Sequence, residues 1–142
     1  LAKHGTMHPD GADVYFPLVP VYMMARAHFI VGNLDAAFEY AESILANNDS
    51  ARCASNAHRL LGNIHAARGD EVSAERELLK AIEDAKLARN PIRQLHAAAD
   101  LKELPTDGSH GAEGSKLFAE ALRGLRGSKE QLELCVEARR FC

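Results

Sequence analysis

Seven histidines and three cysteines have the widest chemical repertoire in this chain, and their spacing limits what they can do. His58 and His65 fall on one helical face, but seven residues set them about 10 Å apart along the axis, too far to share an ion without a third element. His4 and His8 stand near Asp10 and Asp13, yet Pro9 and Gly11 deny that segment a helix, and no metal ligand is assigned. Cys53, Cys135 and Cys142 are odd in number, far apart and without a C-x-x-C, which suggests neither a disulfide framework nor a zinc knuckle. A reducing compartment, the cytoplasm, is the expected location.

Catalytic patterns are missing as well. The chain has no G-x-S-x-G, no H-E-x-x-H and no cysteine at a helix start beside an obvious histidine, so no catalytic residue and no cofactor are assigned. The glycine-bearing stretch 108–116 lacks a Gly-Lys-Ser/Thr ending and follows no strand, which makes it an inter-helix loop rather than a phosphate cradle. Asp35 with Glu39, and Glu71 with Glu75, are carboxylate pairs on polar helix faces. From 71 to 89 the signs of Glu75, Arg76, Glu77, Lys80, Glu83, Asp84 and Lys86 intermix at helical-neighbour spacing. That pattern predicts a solvated face on which each pair contributes only a few tenths of a kcal/mol.

The elements that must hold these residues follow from composition and period. With 142 residues, 46% hydrophobic and 26% charged, the chain is long enough for one folded domain with its own core. Seventeen Lys and Arg against 20 Asp and Glu leave a net charge of -3, which argues against nucleic acid as a partner. The most apolar stretch, Val14 to Val31, is broken by Pro17, Pro20, Arg26 and His28, so no membrane span is predicted. The chain opens Leu1-Ala2-Lys3 without Met or a signal-peptide pattern, which reads as a fragment or a processed chain.

Residues 1–16 carry no apolar period and read as an irregular leader. From Leu18 onward apolar and small residues recur at three- and four-residue intervals, predicting about seven helices at 18–31, 34–47, 51–68, 71–89, 91–104, 112–125 and 129–140, and no strand. Gly32-Asn33 and Gly69-Asp70 each place a left-handed-tolerant residue at a helix end and a side-chain oxygen at the next start. Ser50 is a predicted N-cap, Asn90-Pro91 pairs a cap with a first-turn proline, and Ser128-Lys129-Glu130-Gln131 fits a capping box.

Self-comparison then shows a duplication. A shift of 37 residues lays Gly32-Asn33-Leu34-Asp35-Ala36-Ala37 over Gly69-Asp70-Glu71-Val72-Ser73-Ala74, and carries Met24 to Leu61, Ala25 to Gly62 and His28 to His65. One helical hairpin, with a small residue in each arm, occurs twice. Leu61-Gly62, His65, Gly69-Asp70, Ala74, Leu78 and Ala81 in this order and spacing resemble the tetratricopeptide repeat, as do Met24-Ala25, His28, Gly32-Asn33, Ala37, Ala41 and Ile44. A third, degenerate copy runs from Leu95, Ala98 and Ala99 to Gly114, Phe118, Ala121 and Leu122. The period exceeds the family's usual ~34, and histidine stands where tyrosine is usual.

The resemblance implies an all-α, right-handed helical-hairpin solenoid, with repeats at about 17–49, 50–89 and 90–126 and a capping helix in 127–142. It implies a noncatalytic scaffold that binds a protein or peptide in a concave groove lined by the first helix of each repeat. His28 and His65 would fill the packed aromatic slot. The groove positions are Val19, Tyr22, Arg26, Phe29 and Ile30 in the first repeat, Asn56, Arg59 and Asn63 in the second, and Arg93 in the third. Arg59-x-x-x-Asn63 is similar to the Lys and Asn with which some members clamp a peptide carboxylate. Two alternatives stay open: a regulatory region of a larger enzyme or signalling protein, and a homodimer formed through the open end around Tyr15 to Met24.

Overall fold

A computed structural model describes residues 18–47, 50–105 and 109–126. Among them are six α-helices and no strand: α1 (Leu18–Ile30), α2 (Leu34–Ala46), α3 (Ala51–Ala67), α4 (Glu71–Leu87), α5 (Pro91–Lys102) and α6 (Ser109–Arg126). The predicted leader 1–16 and the predicted seventh helix at 129–140 lie outside the described residues.

The turns are made as their residue types dictate. Gly32 and Gly69 take φ of 84° and 79°, conformations that a Cβ would strain. Each turn is closed by paired amides: Gly69 N donates to Ala66 O at 3.0 Å and Asp70 N to His65 O at 2.9 Å, and Gly32 and Asn33 repeat this on Phe29 and His28. Arg89 carries the same turn into α5 with φ of 51°, the one non-glycine at positive φ among the described residues. Asp70 accepts from Ser73 N at 3.1 Å and Asn90 from Arg93 N at 3.2 Å, so these two predicted caps form, whereas Ser50 stands at the N-cap of α3 without a side-chain cap hydrogen bond. Asn33 does not cap: its amide sits 3.2 Å from His28 Nδ1 instead.

One segment corrects the sequence reading. Residues 109–111, outside the helix expected from 112, form the first turn of α6, which starts three residues earlier than predicted and takes in the rest of the glycine-bearing stretch. Gly114 is there for packing. A Cβ at this position would lie 2.5 Å from Lys102 N and 2.7 Å from Lys102 Cα, so only glycine lets α6 lie so close against the backbone of α5.

Each helix packs on the next in sequence, and α1 also meets α3, and α3 meets α5, across the intervening helix. Two cores result. Ala25, Ala37, Ala41, Leu60, Leu61 and Ile64 join α1, α2 and α3, while Ala74, Leu78, Ala81, Ile82, Ala97, Ala98 and Leu101 join α4 and α5, with Phe118 of α6 against them. Ser55 ties the cores together, its hydroxyl donating 2.9 Å to Ala81 O from within the α3–α4 contact. Full burial of Ile44, Leu61, Ile64, Leu78 and Leu101 stabilises the fold by roughly 1.5–3 kcal/mol each before entropy is counted. His28 stacks on Tyr40 at 5.4 Å between ring centres, and His65 stands edge-on to Phe38 at 5.9 Å.

Candidate partner-binding face

Helical period decides which side chains share a surface. Tyr22, Arg26 and Phe29 on α1, Arg52, Asn56, Arg59 and Asn63 on α3, and Arg93, His96 and Asp100 on α5 each recur at three- and four-residue steps, making one stripe per helix. Because α3 touches both α1 and α5, the three stripes lie side by side.

At one end of this face Asp100 links two helices. Arg59 donates from Nε to Asp100 Oδ2 at 2.6 Å and from Nη2 to Oδ1 at 3.3 Å, while Asn63 Nδ2 donates to Oδ2 at 3.2 Å. A carboxylate gripped on both oxygens by a guanidinium is among the stronger side-chain contacts. The Arg59 and Asn63 pair is therefore engaged inside the protein, with Asp100 standing where a ligand carboxylate was expected.

Farther along the face the charge is unbalanced. Arg93 is half-buried, and its Nε is buried without a hydrogen-bond partner among the described residues. Burial holds its guanidinium pKa below the usual arginine value, the charge of nearby Arg52 adds to this, Tyr22 and Cys53 oppose it, and Arg59 adds again. The His96 pKa is also shifted down, by desolvation first and by Arg59 next, against the pull of Asp100. Arg93 thus lies in the field of Arg52 and Arg59, while the carboxylate of Asp100 is held by Arg59 and Asn63. Asn56, half-buried between Arg52 and Arg59 along α3, has no side-chain hydrogen bond among the described residues, and Arg26 is exposed at the α1 edge.

Other predicted positions are placed differently. Tyr22 and Phe29 are half-buried and pack against the first core, so each offers the face only part of its ring. Ile30 points to solvent away from this face, and the side chain of Val19 lies outside the described residues. Arg52, His96 and Asp100 were missed, although the 52-56-59-63 and 93-96-100 spacings were available in the sequence.

A second polar cluster corrects the solvated reading of α4 at Glu77, while Arg76, Lys80, Glu83 and Lys86 are exposed as expected. Glu77 is buried, not exposed, and its Oε2 lies 2.6 Å from His58 Nδ1, while His58 Nε2 is 3.6 Å from Asp84 Oδ2. Burial raises the Asp84 pKa, with the charge of His58 as the main opposing cause. The depression beside it, lined by His58, Val72, Leu79 and charged α4 side chains, is shallow and wide-mouthed. Among the described residues no group of three His, Cys, Asp or Glu is disposed to hold a metal ion, and no helix is long and apolar enough to cross a membrane.

No family model, curated protein or solved structure matches the chain.

Proposed function

We propose that this protein is a noncatalytic protein-protein interaction module of the tetratricopeptide type. Its α1–α3–α5 face is the concave wall of a short helical-hairpin solenoid, and its ligand is an extended peptide segment from a cytoplasmic partner. The observation that carries this reading is Arg93, a partly desolvated cation whose buried Nε has no hydrogen-bond partner among the described residues, in the field of Arg52 and Arg59. Such a group is incomplete until an acceptor meets it. An acidic side chain of the bound segment supplies that acceptor, and Asn56 offers both a donor and an acceptor to its backbone.

Division of labour follows from the geometry. Arg93 and Arg52 recruit the ligand's negative charge, whereas Arg59, Asn63 and Asp100 keep α3 and α5 in register beneath it. The test is a peptide array probed with wild type and with Arg93→Gln, with helicity recorded by circular dichroism. Loss of a charge-assisted contact weakens binding of acidic peptides about tenfold or more and leaves neutral ones unchanged. An identical binding profile from a folded Arg93→Gln variant removes the proposed groove.

A further inference from the structure

The helix α1 has two apolar faces, and the fold uses one. Ala25, Tyr22 and Phe29 turn inward, while Pro20, Met23, Met24, Ala27, Ile30 and Val31 form a continuous uncharged stripe on the opposite side. Met23 is 57% exposed, Met24 46%, Ile30 73% and Val31 77%. Apolar residues at steps of three and four along a helix are the pattern of a packed face, and a helix apolar all round is ordinarily a buried one.

The internal repeat shows what normally lies there. A shift of 37 residues carries Pro20 to Ala57, Met23 to Leu60, Met24 to Leu61 and Ala27 to Ile64. All four counterparts are at most 5% exposed, covered by α2 through Ala37, Ala41 and Ile44. Ile30 and Val31 map onto the exposed Ala67 and Arg68, so the part of the stripe from Pro20 to Ala27 is the surface on which one helix of this protein receives another. Residues 1–17 contain Gly5, Pro9 and Gly11 and no run of three- and four-residue apolar steps, so their sequence lacks the pattern of α2.

We infer that this stripe is a self-association surface on which α1 pairs with α1 of a second copy about a two-fold axis. Three features favour a second copy over another occupant. The stripe carries no charge, so it is complementary to itself and demands no opposite partner. Ala27 lies at its midline with Met23 and Ile30 to one side and Met24 and Val31 to the other, so two copies crossing at Ala27 place a small residue against a small residue and larger ridges into the flanking grooves. The 13-residue helix is roughly 20 Å long, which puts two facing stripes at the small end of specific interfaces, roughly 1,200 Å² in total. The pairing is consequently reversible and dependent on concentration.

Sedimentation equilibrium of the intact chain from ~1 to ~500 μM brackets the affinity expected of so small an interface. The wild type shifts from single to double mass across that range. Ala27→Glu and Ala27→Lys, both at an exposed position, each stay at single mass with unchanged helicity, and an equimolar mixture of the two returns to double mass. That rescue distinguishes facing α1 helices from general loss of fold. A wild type that stays at single mass throughout, or a double mass that Ala27→Glu leaves untouched, overturns the inference.

Discussion

The hairpins α1–α2 and α3–α4 share one template 37 residues apart, yet they are finished differently. Leu60, Leu61 and Ile64 in the second are sealed in the core shared with α1 and α2, whereas Met23, Met24 and Ala27 in the first face outward. Inside the hairpins the same volume is divided in two ways. Where the first sets Ala25 against Ala41, the second sets Gly62 against Leu78, with Leu78 Cγ only 2.7 Å from where a Gly62 Cβ would stand. Polar groups diverge too: Val21, Tyr40 and Asn47 of the first correspond to His58, Glu77 and Asp84 of the second. A repeat sets the path of the chain, and the neighbours of each copy decide which of its side chains carry stability.

The largest contrast is expected at matched positions. Leu61→Ala empties a site that is 1% exposed and costs about 2–5 kcal/mol in urea unfolding, whereas its counterpart Met24→Ala costs well under that at a concentration that keeps copies apart. Equal losses would mean that the first hairpin is covered as thoroughly as the second.

Next comes the paired volume. Gly62→Ala pushes against Leu78 and costs about 1–3 kcal/mol. Adding Leu78→Ala recreates the Ala25–Ala41 arrangement, so the double variant is expected to be more stable than the sum of the single losses, a coupling that a double-mutant cycle reads directly. Strict additivity would show that the two residues do not share one space.

The smallest effect concerns Asp84, whose counterpart in the first hairpin is Asn47. Its carboxyl pKa is raised in the folded protein, so the folded state holds that proton more tightly than the unfolded chain. Ionisation therefore opposes folding above the raised pKa, and the opposition disappears as pH falls below the ordinary carboxylate value. Asp84→Asn is expected to gain stability slightly at pH 7 and to match wild type near pH 3, as followed by thermal melts at both. A variant less stable at pH 7 would show that the His58 contact outweighs desolvation.

Why some of this was legible in the residues is a matter of range. Gly32, Gly69 and Asn90-Pro91 have few conformations open to them, so their turns follow from local chemistry alone. The apolar period likewise announces helices, and the six described ones begin and end within three residues of expectation. Glu77 was misread because a carboxylate in a mixed-charge run looks solvated until the helix bearing His58 is set beside it. The tight packing at Gly114 was not legible because its reason is the backbone of α5, separate in sequence and adjacent in space. Asp100 was invisible as a partner for Arg59 because 41 residues separate them, and no periodicity reports the placement of α3 against α5.

That last bond has a mechanical meaning. A row of helices that grips chiefly its immediate neighbours can unzip one member at a time from either end. The chord from Arg59 to Asp100 skips over α4 and fastens the third helix to the fifth, so peeling the fifth away also strips a charged clasp from the third. The middle of the molecule consequently lets go in one event, and fraying is confined to its two outer arms.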